Sequence, residues 1–412
     1  MTLTENADGF VAHSGSKDRT LIYTSAFLRA LGTGMLGVLL GITLAKSGLS
    51  VTATGGVIAA GLAGAACATL IATLTADRVG RRRFLMVLAA LGIAGSLTAA
   101  FATNAWVLGA AACFGMLNGM GRDRGAALAL EQAMLPATAG VADRTRALAW
   151  YNVLQDAGHA FGSLLAGLPV LLRAHAGMNE LTSLRACIIL YAGITTLTLL
   201  VIPALSSAVE RPTGARRITL SPESRGILVR ISALFAIDSL AGGFLTTSLL
   251  SFYFFQRFHA SVAVIGLLFF CARVANALSH LAAAWLAKRI GLVNTMVFTH
   301  IPSSLLLATV AFAPTFPIAA ALFLLREGLV EMDVPTRQSY VMAMVKPEER
   351  TIASGVTHLV RMGAWSVAPT FAGWLMQSTS MAVPLVIGSG MKIAYDILLY
   401  MAFRRAKPPE ET

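Results

Sequence analysis

The chain has 412 residues, of which 56% are apolar and only 13% charged, whereas an ordinary soluble domain is about 45–50% apolar and about 25% charged. A water-soluble enzyme does not fit that balance. The excess of 32 basic over 20 acidic residues, a net +12, reads as loop charge beside a membrane and not as a nucleic-acid footprint.

Residues 1–19 are polar and lack a charged head, apolar core and small-residue cleavage site, so they read as a retained tail. Each bilayer crossing takes about 20 apolar residues, and the apolar runs predict twelve helices. In the first half these lie near 20–45, 51–76, 83–103, 105–135, 146–172 and 183–206. A polar stretch from Ser207 to Arg225, with Pro212, Gly214 and Pro222, interrupts the pattern as a central loop. The second half continues near 226–256, 262–287, 292–312, 317–345, 351–376 and 383–403, and residues 404–412 form a second polar tail. The expected organisation is therefore two six-helix bundles, 20–206 and 226–403, joined by the loop 207–225. Cys67, Cys113, Cys187 and Cys271 stand singly in apolar runs, without the spacing of a zinc site.

Counted by alternate connections, one face holds about 19 Lys or Arg and the other about four: Lys46, Arg173, Arg185 and Arg257. The positive-inside rule then predicts cytoplasmic termini. An internal repeat supports the division into halves. ArgThrArgAla at Arg144 matches ArgThrIleAla at Arg350, and the same offset places Ala166-Gly167 on Ala372-Gly373 and Gln132 on Gln338. Repeated halves put a transporter's substrate site near the midplane between them.

At the second predicted cytoplasmic connection the chain reads ThrLeuThrAlaAspArgValGlyArgArgArgPheLeu, residues 73–85. This resembles the GxLADRxGRRxxL motif between helices 2 and 3 of the major facilitator superfamily. Asp77, Arg78, Gly80, Arg81, Arg82 and Leu85 fit, while Thr73 and Thr75 replace the usual glycine and leucine. The resemblance implies an all-α integral membrane fold of twelve helices in two pseudo-symmetric six-helix bundles. It also implies that Asp77 contacts helix 11 in the outward-open state. In the second half Lys288 stands where that aspartate would be, which removes the basis for a mirrored latch. The glycine-rich run from Gly158 is similar to the family's antiporter motif but lacks its GlyPro.

Ionisable groups at bilayer depth are by default functional or paired, and here they concentrate on helices 1, 4, 7 and 10, which line the cavity in the family. The substrate-cavity candidates are Arg29, Asn118, Arg122, Arg124, Asp156, Asp238, Arg326 and Arg361. Asp123, Asp238, Glu327 and Glu331 are the proton-coupling candidates. Glu327 and Glu331 lie four apart, as two carboxylates on one helical face, where like charges favour protonation of one, the alternative being structural pairing with Arg326 or with the helix 4 arginines. Asp333 and Arg337 read as an i,i+4 pair, Lys392 and Asp396 as another outside the site, and Arg29 as an inter-half partner of Asp238. The buried charges are about nine basic to eight acidic, so the balance alone selects no substrate sign.

These observations lead to a secondary transporter working by alternating access, exporting a small molecule or toxic compound in exchange for protons. Proton-coupled uptake, export of a metalloid or organic anion, and a non-transporting sensor on the same fold are the alternatives. A membrane enzyme using His159, His280 or His358 finds no ligand spacing or nucleophile motif. No cofactor is expected, and lipid, protons and a small substrate are the expected partners of a monomer in a bacterial inner membrane.

Overall fold

The computed structural model describes residues 4–139, 143–210, 221–333, 337, 340, 345–346 and 349–403; side chains of residues 4–15 and of a few others, including His280, lie outside the description. Among the described residues all regular structure is helical. In chain order the helices are α1 (Thr4–Lys46), α2 (Val51–Val79), α3 (Arg81–Phe101), α4 (Ala105–Gly115), α5 (Ala126–Met134), α6 (Arg144–Leu165), α7 (Leu168–Ala176) and α8 (Glu180–Val201). After the central connection come α9 (Pro222–Gly243), α10 (Thr247–Phe258), α11 (Val262–Ile290), α12 (Leu292–Val310), α13 (Phe316–Val330), α14 (Arg350–Ser378) and α15 (Val383–Phe403).

These helices group into the expected twelve crossings, because α4 with α5, α6 with α7 and α9 with α10 are broken halves of crossings 4, 5 and 7. Among the described residues nine segments are long and apolar enough to span a bilayer unaided. The others are crossing 4, which is split; crossing 10, whose α13 has 15 residues; and the polar α14. Large apolar side chains such as Phe101, Trp106, Phe114 and Phe312 point outward, as a hydrocarbon environment permits and water does not.

Three sequence expectations change. Helix 4 is not continuous over 105–135: it unwinds from Met116 to Gly125, with Met116 and Gly121 at φ 51° and 66°. Helix 10 runs to Val330, and most of 334–344 lies outside the description. The first helix begins at Thr4 and not near 20, and Asp18 is buried, accepting the Ser206 N–H at 2.8 Å. The repeat holds at helix starts, since Arg144 opens α6 and Arg350 opens α14. Gln338 lies outside the described residues.

The halves meet through α2 against α14, α6 against α11 and α1 against α10. Glycine permits this approach. A side-chain carbon at Gly55 would stand 2.2 Å from the Pro369 carbonyl oxygen and 3.0 Å from the Gly373 Cα, and one at Gly266 would stand 2.5 Å from the Ser163 carbonyl oxygen. The Thr52 N–H donates to the Gln377 side chain at 2.9 Å, and Lys46, paired with Glu180 at 2.7 Å, lies 5.2 Å from the Phe255 ring. All these contacts lie toward the face opposite the termini, so among the described residues that face is sealed while the termini face is open.

Candidate functional site: a chamber with a cationic floor

The open face leads into a chamber of about 750 Å³ bounded by α2, α5, α6 and α14, with Thr69, Gln132, Asp156, His159, Ser354 and His358 on its walls. Its floor is the unwound segment of crossing 4. Continuous helix would satisfy that backbone internally; here its carbonyls are satisfied by the other half. The Ser248 N–H donates to Gly119 O at 3.0 Å, the Thr247 hydroxyl to Met120 O at 2.7 Å, and Arg273 to Gly121 O at 3.3 Å. Asn118 braces the loop, accepting the Met120 N–H at 2.8 Å and donating to Arg122 O at 2.6 Å.

Three consecutive residues of this segment serve two clusters. Asp123 turns into the first half, where it meets Arg29. Glu131 engages the other guanidinium nitrogens at 2.7 and 2.6 Å and also accepts the Ser25 and Tyr151 hydroxyls at 2.7 and 2.8 Å. The Asp123 N–H donates to His159 Nε2 at 2.9 Å. Arg122 and Arg124 turn instead toward the second half. Arg122 pairs with Glu331 at 2.9 Å and contacts Asn276, which donates to Glu327 at 2.8 Å. The Arg124 guanidinium lies 4.7 Å from the Trp365 ring, as does that of Arg361.

Below the chamber a smaller pocket of about 120 Å³ continues into the second half. There Asp238 binds Lys392 at 2.9 Å, Arg337 at 3.1 Å and Arg361 at 3.7 Å, and Arg337 also holds Asp333 at 2.7 Å. Seven basic side chains line this pocket (Arg122, Arg124, Arg273, Arg326, Arg337, Arg361 and Lys392) against Asp238, Glu327 and Asp333. With Glu331 and Asp156 added, two positive charges are still left over. Among the described residues, Arg124 and Arg273 have no carboxylate within ion-pair distance.

The sequence-derived candidates therefore separate. Arg122, Arg124, Asp156, Asp238, Arg326 and Arg361 do converge on the chamber and its floor. Arg29 and Asn118 instead line a recess of about 90 Å³ inside the first half, which Asp123 also touches. The expected Arg29–Asp238 pair does not form, because each is satisfied within its own half. Lys392 and Asp396 do not neutralise each other: Lys392 reaches Asp238, and Asp396 faces His300 Nδ1 at 3.0 Å. Of the two readings of Glu327 and Glu331, the structure has the paired one: Glu327 contacts Arg326, and Glu331 holds Arg122 of crossing 4. Asp333 pairs with Arg337 as its spacing predicts. Arg273 and Trp365 were passed over as site residues. An intramembrane arginine one turn from Asn276 was the available signal for the first; the second is placed by tertiary packing alone.

In the loop motif, Gly80 at φ 101° makes the tight turn. Asp77 pairs with Arg81 at 2.8 Å and is half exposed, and Glu210 accepts the N–H groups of Arg81 and Arg82 at 2.8 and 3.1 Å. Arg82 donates to Pro203 O at 2.8 Å, and Arg78 is exposed.

A chamber between two six-helix halves, sealed on one face and floored by charges from both, defines a membrane transporter. The model of the Major Facilitator Superfamily matches residues 22–325 and 231–412, and the chain belongs to that family. An uncharacterized membrane protein of Saccharomyces cerevisiae, YJR124C, is 25% identical over 422 residues, with 94% of each chain covered. Among solved structures, the nucleoside transporter NupG superposes with a TM-score of 0.73 at 15% identity, covering 96% of this chain and 100% of its own. The human organic anion transporter MFSD10 (TETRAN) does so with a TM-score of 0.61 at 18% identity, covering 93% and 99%. These structural likenesses concern the fold.

Proposed function

We propose that this chain is a proton-coupled secondary transporter of small anions, which bind on the floor between the halves. The observation that carries the reading is the surplus of cations there, above all the buried Arg273 and the half-buried Arg124, neither with a carboxylate partner among the described residues. Uncompensated charge at this depth costs several kcal/mol, and an anion bridging the two halves offsets it. Arginine presents a planar fork suited to carboxylate, phosphate or sulfonate oxygens. The Trp365 ring, beside two guanidiniums, holds them without neutralising them.

In this reading the termini and the open face look toward the cytoplasm of a plasma or inner membrane, a side that the basic connections favour, and the monomer is the transporting unit. Export in exchange for protons, the direction expected from sequence, needs a site where proton and substrate exclude one another. Uptake needs them to bind together.

The test is thermal unfolding of the purified protein against a panel of carboxylates, sulfonates and phosphate esters at constant ionic strength, with neutral and cationic analogues alongside. The reading expects stabilisation by anions that is lost in Arg124→Gln and Arg273→Gln. Stabilisation by neutral or cationic compounds alone would overturn it. Flux of the stabilising anion into proteoliposomes then establishes transport.

A further inference from the structure

The pocket beneath the chamber has two unlike ends, and three helices set them in the same order. On α10 Thr247 is followed one turn later by Leu250, on α11 Phe269 stands one turn before Arg273, and on α13 Phe323 stands one turn before Arg326; all six residues line the pocket. Helix α10 runs toward the sealed face, and α11 and α13 start from it. In each helix, therefore, the polar residue lies on the chamber side and the apolar one roughly 5 Å nearer the sealed face.

The two layers differ in how they are satisfied. In the upper one Arg273 is buried; one of its terminal nitrogens donates to Gly121 O and to the Thr247 hydroxyl at 3.3 Å each, and its Nε has no hydrogen-bond partner among the described residues. In the lower one Leu250, Phe269 and Phe323 are buried and offer no polar atom. The Phe269 and Phe323 rings meet edge to face with centroids 5.5 Å apart, and Phe254 backs Phe323 at 5.6 Å. A wall braced in this way does not give way to a larger guest.

We infer that the substrate is an amphipathic organic monoanion. Its one charged head lies among Arg124, Arg273 and the Thr247 hydroxyl, and its one compact apolar group, no larger than about a benzene ring, points at the sealed face between Leu250, Phe269 and Phe323. This names the class of anion and rests on the anion reading above.

Charge and size are both read by this layering. A second carboxylate at the far end of the ligand is buried where no donor reaches it, at a large cost. An inorganic anion such as sulfate engages the upper layer only and leaves the apolar cup unfilled. The pocket holds about 120 Å³, against the roughly 150 Å³ of an apolar cavity that admits benzene. With the head on the chamber side, that leaves room for one ring and not for two fused rings.

The probes are acetate, benzoate, naphthoate, terephthalate, sulfate and benzyl alcohol. Their affinities for the purified full-length protein are read from the concentration dependence of thermal stabilisation, at constant ionic strength and neutral pH, where all the carboxyls are ionised. Benzoate should bind about 10–100-fold more tightly than acetate, the gain from burying one ring. Naphthoate and terephthalate should each bind at least about tenfold more weakly than benzoate, the first by overpacking and the second by its buried charge, and benzyl alcohol should not bind. Leu250→Phe, which narrows the cup, should lower the ratio of benzoate to acetate affinity, whereas Arg273→Gln should weaken both acids. Acetate binding as tightly as benzoate, naphthoate or terephthalate matching benzoate, or sulfate outcompeting it overturns the apolar cup while leaving the anion site standing. Benzyl alcohol binding as tightly as benzoate, or no anion binding at all, brings down the anion reading as well. Should Leu250→Phe not fold, the wild-type order of ligands decides alone.

Discussion

Gly55→Ala tests whether the sealed face and the open chamber are two ends of one equilibrium. The added carbon would stand 2.2 Å from the Pro369 carbonyl oxygen and 3.0 Å from the Gly373 Cα, so α2 and α14 must separate by roughly 1 Å. Both obstructing atoms are backbone and cannot swing aside. Overpacking of this kind costs about 1–3 kcal/mol. Because the contact belongs to the conformation sealed on this face, the cost falls on that conformation alone. The ratio of chamber-open to chamber-closed molecules should then drop by about 5–150-fold. The assay places a cysteine at Ser354, on the exposed chamber wall, in a background with Cys67, Cys113, Cys187 and Cys271 replaced, and follows its labelling by an impermeant maleimide from the termini side. Labelling should slow in Gly55→Ala. A folded variant labelled at the unchanged rate would refute the argument that this helix contact sets the equilibrium.

Arg29→Leu leaves Asp123 and Glu131 buried without their cation and should lower stability by about 3–5 kcal/mol, read as a loss of thermal stability in detergent. Exchanging the charges of Arg29 and Asp238 should not rescue the single substitutions in a transport assay, because the two residues sit in separate clusters. Trp365→Leu should weaken anion binding by about 2–30-fold, the equivalent of about 0.5–2 kcal/mol of cation–π attraction, with Trp365→Phe recovering part of it; unchanged affinity would remove the ring from the site. At the termini face the Ser224 hydroxyl, the Ser221 N–H and the Ser221 hydroxyl hold the Glu349 carboxyl below the usual carboxylate range. A depressed value adds stability at neutral pH that is lost as pH falls through it. The melting temperature of Glu349→Gln should therefore lie below wild type at pH 7, and the gap should close on acidification.

Much of the architecture was legible because hydrophobic length is a one-dimensional property. Twenty apolar residues span a bilayer whatever their neighbours do, so most crossings could be read in order, and the motif around Asp77 and Gly80 named the family. The break in crossing 4 was not legible. GlyMetLeuAsnGlyMetGly is apolar and glycine-rich enough to read as helix, and its unwinding is stabilised by donors more than a hundred residues away, Thr247, Ser248 and Arg273.

The same distinction governs the site. Sequence by itself marked most of the charges buried at bilayer depth, since their cost there singles them out, but it left the buried Asp18 in a polar tail. Local spacing also predicted the Asp333–Arg337 pair, because one helical turn brings those two together. It could not decide the partners of Asp238 or Lys392, which are bound by residues from other crossings, and it paired Arg29 with the wrong half. The near balance of basic and acidic residues along the chain concealed an uneven partition in space: two carboxylates share Arg29 in the first half, while cations gather on the chamber floor. Only the tertiary structure separates those populations, because electrostatic pairing depends on distances of a few ångströms between helices and not on order along the chain.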